Sequence, residues 1–491
     1  MPELSARRRM LVLVICCMSL LIVGMDNSIV NVALPSIRTD LHASLSGLQW
    51  TVDAYTVVLA SLLILSGSTA DRLGRRRTFQ VGLTVFTLGS LLCSVAPGLG
   101  WLIAFRMMQA VGGSMLNPVA MSIITNVFTD PRERARAIGV WGAAIGVSIG
   151  IGPVVGGLLT ETVGWRAIFW INVPIGVAAF ILAAIFVPES KAPRARRLDP
   201  VGQLLVIVLL LSLTYAIIAA PRVGWGSPQN VGLIAVSVAS LAGLLYYEPR
   251  RRDPLIELRF FRSTPFSGAT IIAVCGFGAF AGFLFLNTLY LQDVRGLSAL
   301  DAGLFTLPIA IITLAFSPLC GRVVGARGPR IPLIVGGLGL AIGALALTQL
   351  ETDTSYSWLL GAYVIFGIGF MAVNPPITNS AVSGMPRAQA GVASAVASTS
   401  RQVGTSLGVA VVGSVVSTAA AVGTSAAGSA DFAAATHPAW WILTGLGLIV
   451  LVVGLATSGK RGRASAARAA ALFEEDVPAP AIIRSTIGSK G

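Results

Sequence analysis

Fourteen stretches rich in apolar residues recur along this chain, near 11–34, 47–68, 78–97, 99–124, 138–160, 165–187, 201–220, 230–247, 266–290, 301–320, 330–350, 357–377, 390–416 and 439–457. Each has about the 20 residues that a helix needs to cross a hydrocarbon core about 30 Å thick. Backbone groups in lipid find no water to bond, so spanning segments must satisfy their own hydrogen bonds, as helices do. The pattern predicts an all-α polytopic membrane protein with 14 transmembrane helices. Composition agrees: 11% of the 491 residues are charged, against about 25% in soluble domains.

A net charge of +14 would suit a nucleic-acid partner if it gathered on one domain. Here the basic residues lie in short segments between apolar stretches, so no nucleic-acid partner is expected. Arg7, Arg8 and Arg9 precede the first stretch, and DRLGRRR, PRERAR, KAPRARR, EPRRRDPLIELRFFR, GRVVGARGPR and MPRAQ follow every second one. Of the 35 basic residues, only Arg38, Arg222, Arg295, Arg106, Arg166 and Arg401 fall elsewhere than on this side or in the tail. Cytoplasmic loops carry the excess of Lys and Arg, so both termini are expected in the cytoplasm. That requires an even number of crossings. The first stretch is too long for a signal peptide and is expected to be retained. The five cysteines show no metal-ligand spacing, and no metal or cofactor is expected. His42 and His437 are expected in connecting segments, which leaves carboxylates to carry protons inside the membrane.

The first stretch contains one such carboxylate, Asp26, within LLIVGMDNSIVNVALP. A charged side chain at the bilayer centre costs about 2.5 to 3.5 kcal/mol on insertion scales, so it usually faces an aqueous cavity and has a function. Asn27, Ser28 and Asn31 widen the polar flank around it. Asp26 is the candidate proton carrier, and Asp26→Asn is expected to abolish coupling while leaving the fold intact. The structural alternative is an acid that caps a bend or pairs permanently with a base. Asp53, Arg106 and Arg401 also lie deep. Arg106 is expected to approach Asp26, or a water between them, in one conformation and to leave it in another. Asp53, near Trp50 and Tyr55, is a candidate for attracting the cationic part of a substrate, with the rings supplying apolar and cation-π contact. Asn31 and Arg401 complete the candidate substrate cavity, although a structural ion pair explains Arg401 equally well and an interfacial belt explains the rings.

After the second stretch comes GSTADRLGRRR, with Gly67, Asp71, Arg72, Gly74 and Arg75 in a tight turn. The glycines allow close approach and unusual dihedrals, and Asp71 among cations can form a charge-assisted latch. The fifth stretch repeats glycine at 142, 146 and 150 and continues into Gly152-Pro153 and Gly156-Gly157. Small residues at this spacing let helices approach closely. GIGPVVGG and GGLGLAIG lie inside spanning stretches, with no preceding strand and no Walker lysine, so nucleotide-driven transport is not expected.

The turn motif at Gly67, Asp71, Arg72, Gly74 and Arg75 resembles the signature of the major facilitator superfamily. GPVVGG resembles the antiporter motif of exporters in that superfamily. MDNSIVNVALPSI (25–37), QWTVDAY (49–55), RMMQAVGG (106–113), GWRAIFWINVPIG (164–176) and RQVG (401–404) resemble the 14-helix drug:proton antiporter family. Together these matches cover most of the first half and touch the last third. The resemblance implies a major facilitator fold and places Arg106 at a fourth-helix arginine linked to proton transfer. Some members carry an acid deep in the tenth helix for divalent cations, whereas Asp301 lies at its start, which argues against dications here.

The echo of GSTADRLGRRR in CGRVVGARGPR at 320–330 suggests two related halves. The expected organisation is a six-helix bundle over 1–190, two inserted helices with linkers over 191–262, a second six-helix bundle over 263–458 and an unstructured cytoplasmic tail over 459–491. The reading is a transporter rather than an enzyme: a proton-coupled antiporter in the cell (inner, cytoplasmic) membrane. It would export lipophilic, often cationic drugs or antibiotics by alternating access, act as a monomer, and need no cofactor beyond the proton gradient. The alternatives are a dedicated exporter of one endogenous metabolite or lipid, and a non-transporting sensor.

Overall fold

A computed structural model describes residues 5–191, 198–251, 253–382, 390–422 and 429–474. Among the described residues all regular structure is helical, and each of the fourteen apolar stretches lies on a helix. The helices are α1 (Ala6–Asp40), α2 (Leu45–Leu73), α3 (Arg75–Ser94), α4 (Leu99–Val127), α5 (Pro131–Thr162), α6 (Ala167–Phe186, broken at Ile171), α7 (Pro200–Val223) and α8 (Pro228–Tyr247). There follow α9 (Thr264–Val294, ending in a π turn), α10 (Ala299–Arg327, broken at Thr306), α11 (Arg330–Leu345), α12 (Tyr356–Val382), α13 (Ala390–Val422), α14 (Ser429–Thr457) and α15 (Lys460–Glu474). Ten of the described helices are, by length and composition, able to cross a membrane. The chain is a multi-pass membrane protein.

Local chemistry sets the helix ends. Ser44 and Ser227 accept from the backbone N–H of the third residue of α2 and α8, and Asp130 caps α5 through two 2.9 Å bonds ahead of Pro131. Each satisfies N–H groups that the first turn leaves without helical partners. His437, expected in a connection, lies inside α14, where its Nε2 is 2.8 Å from the Leu350 carbonyl.

The helix pairing repeats. α1 packs on α5, α2 on α4, and α3 on α4 and α6; likewise α9 packs on α13, α10 on α12, and α11 on α12 and α14. The two sets meet along two seams, α2 with α13 and α5 with α10, which exchange when the sets are swapped. α7 and α8 pair with each other, and α7 covers the α2–α13 seam. Gln203 of α7 donates to the Ser61 carbonyl at 2.6 Å, and Tyr215 lies 5.6 Å from Trp50.

At the end opposite the N terminus three polar contacts also join the sets. Arg38 pairs with Asp293 at 3.1 Å, Gln292 donates to the Val32 carbonyl at 2.8 Å, and the Leu300 N–H donates to Glu161 at 3.3 Å.

The tail corrects the sequence reading. Residues 460–474, expected to be unstructured, form α15, which buries Ser465, Ala466, Ala469 and Phe473. The Ser465 hydroxyl accepts from Thr264 N and donates to the Arg262 carbonyl, both at 3.0 Å, while Phe473 packs 5.4 Å from Phe260. An Ala- and Arg-rich composition hid this short stripe at helical spacing. Residues 475–491 of the tail lie outside the described residues.

Candidate functional site

Five helices of the first bundle converge on Asp26. Its Oδ2 accepts from Arg106 of α4, and its Oδ1 accepts from Gln109 Nε2 of α4 at 2.8 Å and Asn172 Nδ2 of α6 at 3.1 Å. Arg106 also donates to Gln109 Oε1 at 2.9 Å and to the Thr51 carbonyl of α2 at 3.3 Å, and its guanidinium lies 4.2 Å from the centroid of the Tyr55 ring. Ser90 of α3 ties the two amides together, accepting from Gln109 at 3.2 Å and Asn172 at 3.0 Å, and it donates to the Phe169 carbonyl at 2.9 Å.

This corrects the expectation of a carboxylate facing water. Asp26 is 0% exposed and Arg106 1%. Burying a charge costs several kcal/mol unless a counter-charge and hydrogen bonds compensate it, and here both do. The interior of this bundle therefore holds a neutral ion pair in which both carboxylate oxygens are bonded, while Asn172 Oδ1 and the Tyr55 hydroxyl beside it have no partner among the described residues.

Sequence reasoning found Asp26 and Arg106 and missed Gln109, Asn172 and Ser90. Gln109 lies one helical turn from Arg106, the spacing that puts two side chains on one face. That signal was available. Asn172 was harder to see, because the helix break at Ile171 sets its direction.

The proposed substrate-cavity residues do not gather. Tyr55 belongs to the Asp26 cluster, beneath Arg106. Trp50 packs on Tyr215 of the inserted α7. Asp53 turns to the α2–α13 seam, toward Ser406 of α13 and 3.5 Å from the Thr56 hydroxyl; its Oδ2 has no partner among the described residues. Asn31 donates to the Asn27 carbonyl at 3.2 Å. Arg401 lies in the second bundle, bonded to Thr378. Residues close on one helix, such as 53 and 55, point to different faces.

The turn at 67–77 is braced by an ion pair and a carboxylate cap. Asp71 pairs with Arg75 at 2.9 Å, one helical turn apart in number but across the α2–α3 corner. Gly74 supplies the corner with φ +116°, a conformation that a side chain disfavours. Gly67 departs from expectation: a methyl there would meet only Pro118 Cβ at 3.9 Å, so no tight approach requires glycine. Arg72 is exposed. The unforeseen member is Glu189, just after α6, which accepts from the backbone N–H groups of Arg76 at 3.2 Å and Arg77 at 3.3 Å. A carboxylate there meets the positive end of α3. Glu189→Ala is expected to lower the unfolding free energy by about 1 kcal/mol, read from thermal unfolding in detergent. Asp71→Asn is expected to slow turnover with little change in substrate binding; lost affinity at unchanged turnover would count against a latch.

GPVVGG divides between two neighbours. Gly152 and Gly156 face α1, where a Cβ would stand 3.1 Å from Ser28 Cβ and 2.6 Å from Ile29 Cγ1. Gly157 faces α10, 2.6 Å from Leu300 Cα by the same construction, and the Pro153 backbone lies against Gly303. One face of α5 thus holds its own bundle together and the other closes on the opposite bundle.

A model of the Major Facilitator Superfamily matches residues 16–409. Among curated proteins, the chain is 36% identical over 409 residues to multidrug resistance protein Stp of Mycobacterium tuberculosis, covering 83% of this chain and 76% of that protein. It is 36% identical over 394 residues to the tetracenomycin C resistance and export protein of Streptomyces glaucescens (80% and 73% covered), and 36% identical over 434 residues to the puromycin resistance protein pur8 of Streptomyces alboniger (86% of each). Among solved structures, a POT family transporter in complex with 5-aminolevulinic acid superposes with a TM-score of 0.66 at 16% identity, covering 92% of this chain and 95% of that one. A D-xylose–proton symporter gives 0.64 at 16% identity, covering 92% and 99%.

Proposed function

We propose that this chain, which belongs to the Major Facilitator Superfamily, is a proton-coupled antiporter that exports lipophilic drugs or antibiotics across the cytoplasmic membrane. Relatives named for multidrug resistance and antibiotic export support the efflux reading. The observation that carries proton coupling is the enclosed Asp26–Arg106 pair. A proton on Asp26 cancels the charge that holds Arg106, so occupancy by a proton and the geometry of the first bundle are linked. Substrate and proton then favour opposite conformations, which gives exchange.

In this reading the fourteen helices cross the membrane with both termini in the cytoplasm. Residues 1–190 and 263–458 are the two moving bundles, 191–262 carry the inserted pair, and one copy suffices for transport. The end bearing Arg38 and Asp293 is the outer one, closed in this state. Exposed ion pairs such as Arg38–Asp293 contribute at most about 1 kcal/mol, so that pair adds little to the cost of opening that end. The membrane potential supplies about 2.3 kcal/mol per charge per 100 mV, and no cofactor is needed.

The test is purified protein in proteoliposomes with an imposed pH step and a panel of structurally unrelated fluorescent dyes. Movement of several dyes that stops when a protonophore collapses the gradient is expected. Flux indifferent to the pH step would sink proton coupling, and movement of a single dye would identify a dedicated exporter instead.

A further inference from the structure

The charges set deep in the bundle do not all cancel. Asp26 and Arg106 pair, whereas Arg401 on α13 meets no carboxylate among the described residues. Its guanidinium donates to the Thr378 hydroxyl of α12, lies 5.7 Å from the Phe277 ring centroid of α9, and its buried Nε has no partner. Arg cannot shed its proton, so an uncompensated guanidinium at membrane depth is retained at a cost and signals a ligand.

The surroundings indicate which ligand. Thr378 is exposed, and Arg401 and Phe277 are half-buried, so the three groups border open space. Phe277 meets Phe370 edge-on at 5.3 Å, and Phe370 stacks on Phe280 at 3.9 Å, which makes a rigid aromatic wall beside the cation. A planar guanidinium with unused donors matches a carboxylate in a two-point fork, and an aromatic wall takes a flat ring.

We propose that Arg401, Thr378 and Phe277 form an anion subsite in the second bundle that receives the carboxylate or phenolate of a planar aromatic substrate. The inference rests on the export reading and sharpens its substrate class: anionic or zwitterionic aromatics, beyond the cations expected from Asp53.

The experiment uses the full chain with two matched probes, anthracene-9-carboxylate and 9-(aminomethyl)anthracene. Binding is read by fluorescence titration in detergent, and export separately in proteoliposomes. Arg401→Gln is expected to weaken carboxylate binding about tenfold or more, Arg401→Lys to recover only part of it because an ammonium keeps the charge but not the fork, and amine binding to stay unchanged. Should Arg401→Gln fail to fold, Phe277→Leu is expected to weaken the carboxylate about threefold and leave the amine alone. Equal loss of both probes would overturn the proposal and assign Arg401 to structure or to pairing with Asp53 in another state. Absence of carboxylate binding by the unaltered protein would also overturn it, while pH-driven export of the amine would leave the export reading standing.

Discussion

Asp26→Asn is expected to abolish proton-driven exchange and to destabilise the first bundle as well, by about 3 kcal/mol. Removing one partner of a buried ion pair typically costs about 3 to 5 kcal/mol, because the other charge is left without compensation. Arg106 would keep Gln109 Oε1 at 2.9 Å, the Thr51 carbonyl at 3.3 Å and the Tyr55 ring face, which puts the loss at the lower end. The asparagine oxygen can still accept from Gln109 and Asn172, but its NH2 then confronts the Arg106 donors. The fold-neutral outcome expected from sequence therefore gives way to a measurable fall in the unfolding midpoint.

The reverse deletion is milder. With Arg106→Leu the carboxylate can neutralise itself by taking a proton, whereas a guanidinium cannot lose one. The double variant Asp26→Asn/Arg106→Leu removes the unmatched donors and is expected to recover much of the lost stability without recovering transport. Such non-additivity is what two residues sharing one interaction should show. Retention of normal proton exchange by Asp26→Asn in proteoliposomes would remove Asp26 from the mechanism.

What the sequence made legible follows from the range over which each signal acts. Apolar length is local, so the positions of the helices could be read directly. Membrane depth is also local, and it exposed Asp26, Asp53, Arg106 and Arg401 as the charges needing explanation. Direction is not local. Whether Tyr55 turns to Arg106 and Asp53 to Ser406 depends on which helices flank α2, and no residue of α2 encodes that. Asn172 and Glu189 escaped for the same reason: one works through a break in α6, the other by meeting the start of α3 from more than a hundred residues away in sequence. The tail failed differently, because α15 owes its order to Phe260 and Thr264 rather than to its own composition.

Two adjacent glycines should separate holding a bundle together from moving it. Gly157→Ala is expected to cut transport more than tenfold with the fold intact, because its Cβ would stand 2.6 Å from Leu300 Cα on the opposite bundle. Overpacking of this kind costs about 1 to 3 kcal/mol. The strain exists only while α5 and α10 are closed on each other, so the protein escapes it by opening that end. At about 1.4 kcal/mol per tenfold, a 2 to 3 kcal/mol penalty shifts the balance of conformations by well over tenfold. Gly156→Ala meets Ile29 within its own bundle, with a Cβ 2.6 Å from Ile29 Cγ1 and 2.9 Å from the Ile29 carbonyl oxygen. That contact is common to both conformations, so the change should lower the unfolding midpoint without moving the conformational balance. Spin labels at Thr39 and Asp353, both exposed at the end opposite the N terminus, would report it: the distance should lengthen for Gly157→Ala and stay unchanged for Gly156→Ala. Identical distances in the two variants would mean that GPVVGG is ordinary packing and that the α5–α10 seam does not gate the transport path.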